Sequence, residues 1–221
     1  MKHELITTAD GSTSLYIPEL DETYHSTHGA INEALHVFIE HGLKRFENAP
    51  VRIFELGFGT GLNALVSHIY SSKNQIIEYN SIEAYPVDLD LVKKLNYCDL
   101  LESDCLPFFT KLHELTWEDK HDMNEHFTFQ KTHKLIEDYT PELMYYDLVF
   151  FDAFGPKVQS EMWDLNVLEK MYNCLKMGGE LITYCAQGQF KRNLKQLGFE
   201  VIVLAGPPGK REMTVAKKVT V

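Results

Sequence analysis

The sequence predicts an α/β fold: a mostly parallel sheet covered by helices on both faces and ending in an antiparallel hairpin. Three observations carry that expectation. Apolar, strand-like runs alternate with helix-like segments, the glycine-rich turn GFGTG at 57–61 follows the first strong run, and two final runs are separated only by GPPGKR. Alternation places a helix between successive strands, so neighbouring strands run parallel and both faces of the sheet are buried.

Taken in order, INEALHVFIEHGLKRF at 31–46 puts Ala34, Leu35, Phe38, Ile39 and Leu43 on one stripe, which predicts an amphipathic helix. VRIFELG at 51–57 reads as a buried strand, LNALVSHIYS as a helix, IIEYNSIEA at 76–84 as a second strand and VDLDLVKKL as a helix. The third strand is weakly marked, with LLESD at 100–104 as its candidate and Asp104 in the following loop. Residues 105–141 read as an irregular insertion, and 1–50 as an N-terminal lid or helical extension of a single domain over 1–221. YYDLVFFDAF at 145–154 is the next strong strand. A helix near 161–175, a Gly178-Gly179 turn, the strand ELITYC, a helix in FKRNLKQLG and the strands FEVIVLAG and MTVAKKV complete the chain.

Composition bounds the function. With 221 residues, 44% hydrophobic and 24% charged, the chain suits one globular core. It contains no apolar run near 18 residues and its first residues are too polar for a signal segment, so the cytoplasm is the expected compartment and no membrane partner is expected. The four cysteines have neither CxxC spacing nor a disulfide framework, which predicts free buried thiols; the histidines lack the i, i+4 spacing of a zinc helix, and no metal is expected. A net charge of -11 argues against non-specific grip on phosphate. The charge is uneven: 101–150 holds 11 acids against 4 Lys/Arg, whereas 186–221 holds 7 Lys/Arg against 2 acids. Nucleic acid therefore stays open as a partner.

In an alternating sheet, ligands bind beyond the carboxyl ends of the strands, where glycines let a cofactor approach the backbone. Here Gly57, Gly59 and Gly61 follow Glu55, but the third glycine of a dinucleotide fingerprint is replaced by Leu62, and no Lys-Ser/Thr follows for a triphosphate. Glu83 closes the second strand, 22 residues after Gly61, where a carboxylate can accept both ribose hydroxyls. Together with the late hairpin these features favour S-adenosylmethionine. That cofactor has no pyrophosphate and carries two cationic groups, so Glu55 beside the loop is tolerable; Glu55 either contacts it or only orients loop amides. Asp104 either receives the adenine amino group or lies on the surface.

FFDAFGPK at 150–157 sets Asp152 at the end of an apolar strand, where a cofactor pocket meets a substrate, with Gly155-Pro156 stiffening the loop. Asp152 is either the substrate-facing acid or a loop cap; Phe154 either stacks on a planar substrate or joins the core. Near the front, Tyr24, His25, Ser26, His28 and Glu33 crowd into the first helix, as a lid or substrate wall, with an N-cap by Ser26 or Thr27 explaining part of the pattern. Lys191, Arg192, Lys195, Lys210 and Arg211 form a candidate phosphate-facing strip, with a solvated surface as the alternative.

The segments DETYHSTHGAINEALHVFIEHGL, ELGFGTGLNAL, FFDAFGP and LKMGGELITYCA, in this order, resemble the MnmC-type tRNA methyltransferase family. The resemblance implies a class I S-adenosylmethionine-dependent methyltransferase fold, Rossmann-like, and methylation of the primary amine of 5-aminomethyl-2-thiouridine at the wobble position of tRNA. It also implies that Gly57, Gly59 and Gly61 line the methionine part of the cofactor, that Glu83 takes the ribose, that Asp152 faces the substrate amine, and that Tyr24 and Glu33, with Phe154 and Pro156 in the DAFGP segment, complete the pocket. Some members carry a fused flavin-dependent oxidase; a chain of this length resembles the stand-alone methyltransferase form, with a separate enzyme acting upstream. Rival readings are an aminopropyltransferase, against which this chain shows ELGFGTG in place of a GGG-type loop and no second acidic motif, a small-molecule amine methyltransferase, a dinucleotide oxidoreductase, and an inactive cofactor- or RNA-binding module.

Overall fold

The run Val51–Leu56 forms strand β4 at the centre of an eight-stranded sheet, and its residues are buried almost without interruption because strands lie on both sides and helices on both faces. The computed structural model describes residues 2–47, 49–101 and 104–220. An N-terminal antiparallel meander, β1 (Glu4–Thr7), β2 (Thr13–Ile17) and β3 (Glu22–Thr23), precedes β4. The remaining strands of the large sheet are β5 (Ile77–Glu83), β6 (Lys120–Asp122), β7 (Phe127–His133), β8 (Tyr146–Phe151), β9 (Leu175–Thr183), β10 (Phe199–Ala205) and β11 (Glu212–Lys218).

Their spatial order is β10-β11-β9-β8-β4-β5-β7-β6. β7, β5, β4, β8 and β9 pair in parallel, as the alternating pattern requires. The predicted terminal hairpin forms with Phe199 opposite Lys218 and Ala205 opposite Glu212. Its second strand enters the sheet, pairing antiparallel with both β9 and β10, so β11 is reversed between two strands of common direction. That insertion carries the loop 206–211 to the carboxyl end of the parallel strands.

Side-chain alternation divides the core between the two faces of the sheet. Ile53, Tyr79, Phe129 and Phe150 pack on one face with helix α1 (Ala30–Ala34), α2 (Leu62–Tyr70) and a later helix, Leu106–Glu114. Phe54, Leu56, Val149 and Phe151 pack on the other, beneath Leu165–Cys174 and Gly188–Gln196. No helix among the described residues is long and apolar enough to cross a membrane.

Several expectations are corrected. The helix predicted over 31–46 begins as α1, continues as a wider π-type turn at Leu35–Glu40 that buries the consecutive Val37, Phe38 and Ile39, and ends in a 3-10 turn at Leu43–Phe46. Its first amides are not capped by Ser26 or Thr27: Ala30 N–H reaches Ser12 Oγ at 3.2 Å and Asn32 N–H reaches Asp10 Oδ2 at 3.0 Å, both from the β1–β2 turn. The first 50 residues therefore hold a small sheet as well as helix. The third strand is not at 100–104, since Tyr97–Leu100 is helical; Glu102 and Ser103 of that stretch lie outside the described residues.

The third strand is β7, inside the stretch expected to be irregular. Phe127, Phe129 and Lys131 alternate inward there, and the lysine breaks the apolar signature. Its buried ammonium donates to the Leu112 and His113 carbonyls at 3.0 and 2.6 Å and lies 4.7 Å from the centre of the Trp117 ring. Lys131 thus serves as a cap for the end of the Leu106–Glu114 helix. Of the four cysteines expected as free thiols, Cys174 and Cys185 are free and buried, but Cys98 and Cys105 are joined as a disulfide. Their seven-residue separation is no known motif; packing of two short helices brings the sulfurs together.

Candidate active site

Parallel strands that end at one edge leave a crevice there, and the meander β1–β3 roofs it. The result is a cavity of about 830 Å³, lined by residues 20–27 and Glu33 from the front segment, the glycine turn after β4, Glu83 to Tyr85 after β5, Lys134 to Glu137 after β7, and Asp152 to Gly155 after β8. A cavity of that size suits a nucleoside cofactor with part of a second reactant.

The glycine turn is shaped by close backbone approach. Gly57 has φ 96°, and a Cβ there would lie 2.5 Å from the Asp152 carbonyl oxygen; Gly59 has φ 50° and faces the ring of Tyr24. The turn is tied to β5, with Glu83 accepting Gly59 N–H and Tyr85 N–H, each at 2.8 Å. Glu83 stands on the cavity wall with lone pairs left for hydroxyl donors. These features fit an adenosyl cofactor: glycines open the floor, and a carboxylate fixed on the wall offers acceptors of the kind ribose hydroxyls need.

Asp152 is held from below. Asn63, on the first turn of α2, donates its side-chain amide to Asp152 Oδ2 at 2.8 Å. Burial, and then the negative charge of Glu33, pushes the Asp152 carboxyl up to about 7, while Asn63 and Lys210 act in the opposite sense. The following loop is pinned by Trp163, whose indole N–H donates to the Phe154 carbonyl at 2.8 Å, and by Tyr184, whose hydroxyl donates to the Ala153 carbonyl at 2.8 Å. Phe154 lines the cavity edge-on to Tyr24, ring centres 5.2 Å apart.

Glu33 accepts Ser26 N–H at 2.9 Å and forms an ion pair with Lys210. His25, missed as a site residue beyond its place in the motif, joins the roof to the turn: its Nδ1 lies 3.0 Å from Ser14 Oγ and its Nε2 3.3 Å from Thr60 Oγ1. Burial lowers its pKa to about 4, so it is neutral at physiological pH.

The structure therefore brings together Tyr24, Glu33, Gly57, Gly59, Glu83, Asp152 and Phe154 around one cavity. Other expected site residues lie elsewhere. Glu55 is fully buried on the face of β4 opposite Phe54 and Leu56, bonded to Ser81 Oγ at 2.7 Å; it does not line the cavity, and desolvation pushes it up to about 8. Gly61 begins α2 with a left-handed φ of 74° behind the turn. Asp104 is exposed and away from the cavity, because the strand it was assigned to follow is β7; residues 134–137 occupy the wall after that strand. Pro156 shapes the loop without lining the cavity.

The basic strip divides. Lys191 pairs with Glu212 at 3.2 Å, Arg192 is held by Gln189 at 2.7 Å, and Lys195 and Arg211 are exposed. Lys210 instead turns into the cavity, a position set by the insertion of β11. Asn63 and Tyr184 had no sequence signal beyond following the glycine turn and following β9. Among the described residues no group of three His, Cys, Asp or Glu is placed to hold a metal ion.

A family profile described as S-adenosyl-L-methionine-dependent methyltransferase matches residues 106–219. The chain belongs to that methyltransferase family. This methyltransferase is 32% identical, over 97% of its length, to the tRNA 5-methylaminomethyl-2-thiouridine biosynthesis bifunctional protein MnmC of Cupriavidus metallidurans, and 30% identical, over 91% of its length, to the protein of that name from Cupriavidus necator. It spans about a third of those relatives, 34% and 32% respectively. Among solved structures it resembles MnmC2 from Aquifex aeolicus, with a TM-score of 0.79 and 24% identity, covering 100% of this chain and 71% of that one. It also resembles the CurJ carbon methyltransferase, with a TM-score of 0.53 and 14% identity, covering 89% of this chain and 57% of that one. The fold is the class I methyltransferase fold, and S-adenosylmethionine is its cofactor.

Proposed function

We propose that this methyltransferase transfers a methyl group to the primary amine of 5-aminomethyl-2-thiouridine at the wobble position of tRNA, giving the 5-methylaminomethyl product. The observation that carries the reading is the placement of Asp152, a carboxylate with a pKa about 7, on the wall between the glycine turn and the Glu33 side of the cavity. Similarity to the MnmC proteins over nearly the whole chain supports the nucleic-acid substrate.

Gly57 and Gly59 would border the methionine end of the donor, Glu83 would receive its ribose hydroxyls, and the wall at 134–137 would border its base. When bound, S-adenosylmethionine would supply a methyl carbon on a sulfonium, open to attack by an uncharged amine, with an N–C bond formed, the C–S bond broken and S-adenosylhomocysteine as the leaving group. The protein's task is to make the amine uncharged and hold it. An alkylammonium has no lone pair, so Asp152 takes one proton from nitrogen onto a carboxylate oxygen and the freed lone pair becomes the nucleophile. A carboxyl near pH 7 is half ionised at neutrality and can both accept and pass on that proton. Asn63 fixes the carboxylate's direction, and the pinned 152–155 loop holds the amine in line.

A wobble nucleotide lies in an unpaired loop, so it enters a cavity without breaking a base pair. Lys191, Arg192 and Lys195 on the Gly188–Gln196 helix and Arg211 in the hairpin loop are the candidate phosphate contacts, and an oxidase acting upstream would supply the aminomethyl group. Incubation of the full chain with labelled S-adenosylmethionine and tRNA bearing 5-aminomethyl-2-thiouridine tests the reading. Label recovered as 5-methylaminomethyl-2-thiouridine is the expected result. Donor binding with no label in that nucleoside, or labelling of a polyamine in a parallel reaction, overturns it.

A further inference from the structure

Lys210 was expected to face phosphate, yet its ammonium is an ion-pair partner of Glu33 and lies 3.7 Å from the centre of the Tyr184 ring, within the field of Asp152. Both walls of this position are rigid. The second oxygen of Glu33 is fixed by Ser26 N–H, and the Tyr184 hydroxyl is fixed by the Ala153 carbonyl. The occupant is not rigid by comparison: it arrives on the tip of the hairpin, between Gly206 and Arg211, and its side chain keeps 31% of its surface open against 9% for Glu33.

We propose that Glu33, the face of Tyr184 and Asp152 form a seat for a primary alkylammonium, and that Lys210 occupies it in the free protein as an internal stand-in for the substrate. The inference rests on the amine-methylation reading. A carboxylate and an aromatic face together recognise a cation on a short carbon stem, and a lysine side chain presents the same headgroup as an aminomethyl substituent. Occupation by Lys210 pairs the Glu33 charge before substrate arrives and offsets part of the repulsion that Glu33 exerts on Asp152, so the buried Glu33 carboxylate is not left without a cation. Entry of the substrate ammonium then displaces one cation by another. The displaced side chain swings toward the cavity mouth, where a tRNA phosphate can receive it. The seat also discriminates: a hydroxymethyl or unsubstituted uridine cannot replace the lysine without stranding two carboxylates.

The test uses the full chain with saturating S-adenosylhomocysteine and the free nucleoside 5-aminomethyluridine, which has no phosphate, titrated by calorimetry. Lys210→Met is expected to bind this probe about tenfold more tightly than the unmutated protein, the factor that applies if lysine holds the seat in roughly nine molecules of ten. Lys157→Met removes the same charge from the exposed loop after Asp152 and is expected to leave probe affinity unchanged. Equal or weaker binding by Lys210→Met, or an equal gain in Lys157→Met, overturns the seat. Should Lys210→Met fail to fold, the unmutated protein carrying 13C-labelled lysine gives the answer. The ε-methylene signal of Lys210, displaced by the Tyr184 ring, is expected to move to the free-lysine position as probe is added; a signal that stays in place overturns the proposal. Methyl transfer to tRNA without the Lys210 effect sinks the seat alone. The Lys210 effect without transfer to tRNA sinks the substrate reading alone.

Discussion

Two carboxylates at the ends of neighbouring strands, Glu55 on β4 and Asp152 after β8, are both pushed well above the usual carboxylate range by burial, and Asn63 stands between them. Below the glycine turn, Glu55 shares a closed space with Ser81, Asn63 and Tyr79, and among the described residues no cation compensates it. There the second Glu55 oxygen, the Asn63 carbonyl and the Tyr79 hydroxyl have no hydrogen-bond partner among the described residues. Above the turn, Asp152 faces a cavity it shares with Glu33 and Lys210. The lower acid keeps its proton and acts as part of the floor, whereas the upper one can exchange its proton with whatever enters. The same residue type in the same sheet thus takes two roles, decided by access and by the presence of a cation.

Breaking the upper side has the largest effect. Asp152→Asn is expected to lower turnover by about 10³-fold while leaving donor affinity within a factor of about two, because general-base catalysis is lost and the shape kept. Single-turnover kinetics beside calorimetry with S-adenosylhomocysteine checks it, and an equal loss of both would mark the residue as structural. Gly57→Ala is next. Its Cβ would collide with the Asp152 backbone at 2.5 Å on a left-handed φ, displacing the acid and costing about 10²-fold in turnover with a loss of stability.

The bridge between the two sides is tested by pH. Methyl transfer should rise with pH through the Asp152 value of about 7, because the ionised form accepts the proton. Asn63 favours that ionised form, so Asn63→Ala should move the midpoint upward by about one unit and slow the reaction about fivefold at neutral pH. An unmoved midpoint would assign the profile to another group. The smallest effect on rate is expected from Glu55→Gln, about twofold or less, since the lower acid is already protonated at work.

Stability tells the lower side apart. Folded Glu55 holds its proton more tightly than the unfolded chain, whose reference value is 4.5. Its contribution is therefore full below about that pH and is lost as pH rises through about 8. Thermal melts of Glu55→Gln should show a higher Tm than the unmutated protein at pH 9, by about 2–4 °C per kcal/mol relieved, and little difference at pH 5. A parallel loss at both pH values would mean that the glutamate is needed for packing.

What was legible in the chain was everything that repeats locally. The apolar runs of β4, β5 and β8 are central strands, and such runs are buried on both faces wherever they end up. The glycine turn, Glu83 and Asp152 sit at strand ends, and strand ends in a parallel sheet share one edge, so their meeting followed from topology. β7 was hidden because Lys131 stands on its inward face, and a buried lysine is intelligible only once the carbonyls and ring that receive it are in place. Asp104 was assigned to the cavity through the wrong third strand, and the error moved with it.

The sequence by itself determined the α/β alternation, the terminal hairpin, the glycine turn and the acids beside it, because these depend on periodicity and on residues a few positions apart. Only the tertiary structure decided which acid meets the cavity, which lies under it, and that Lys210 turns inward to Glu33. Those outcomes depend on burial and on charges brought together from 177 positions apart, and the free energy of a charge is set by its surroundings in space.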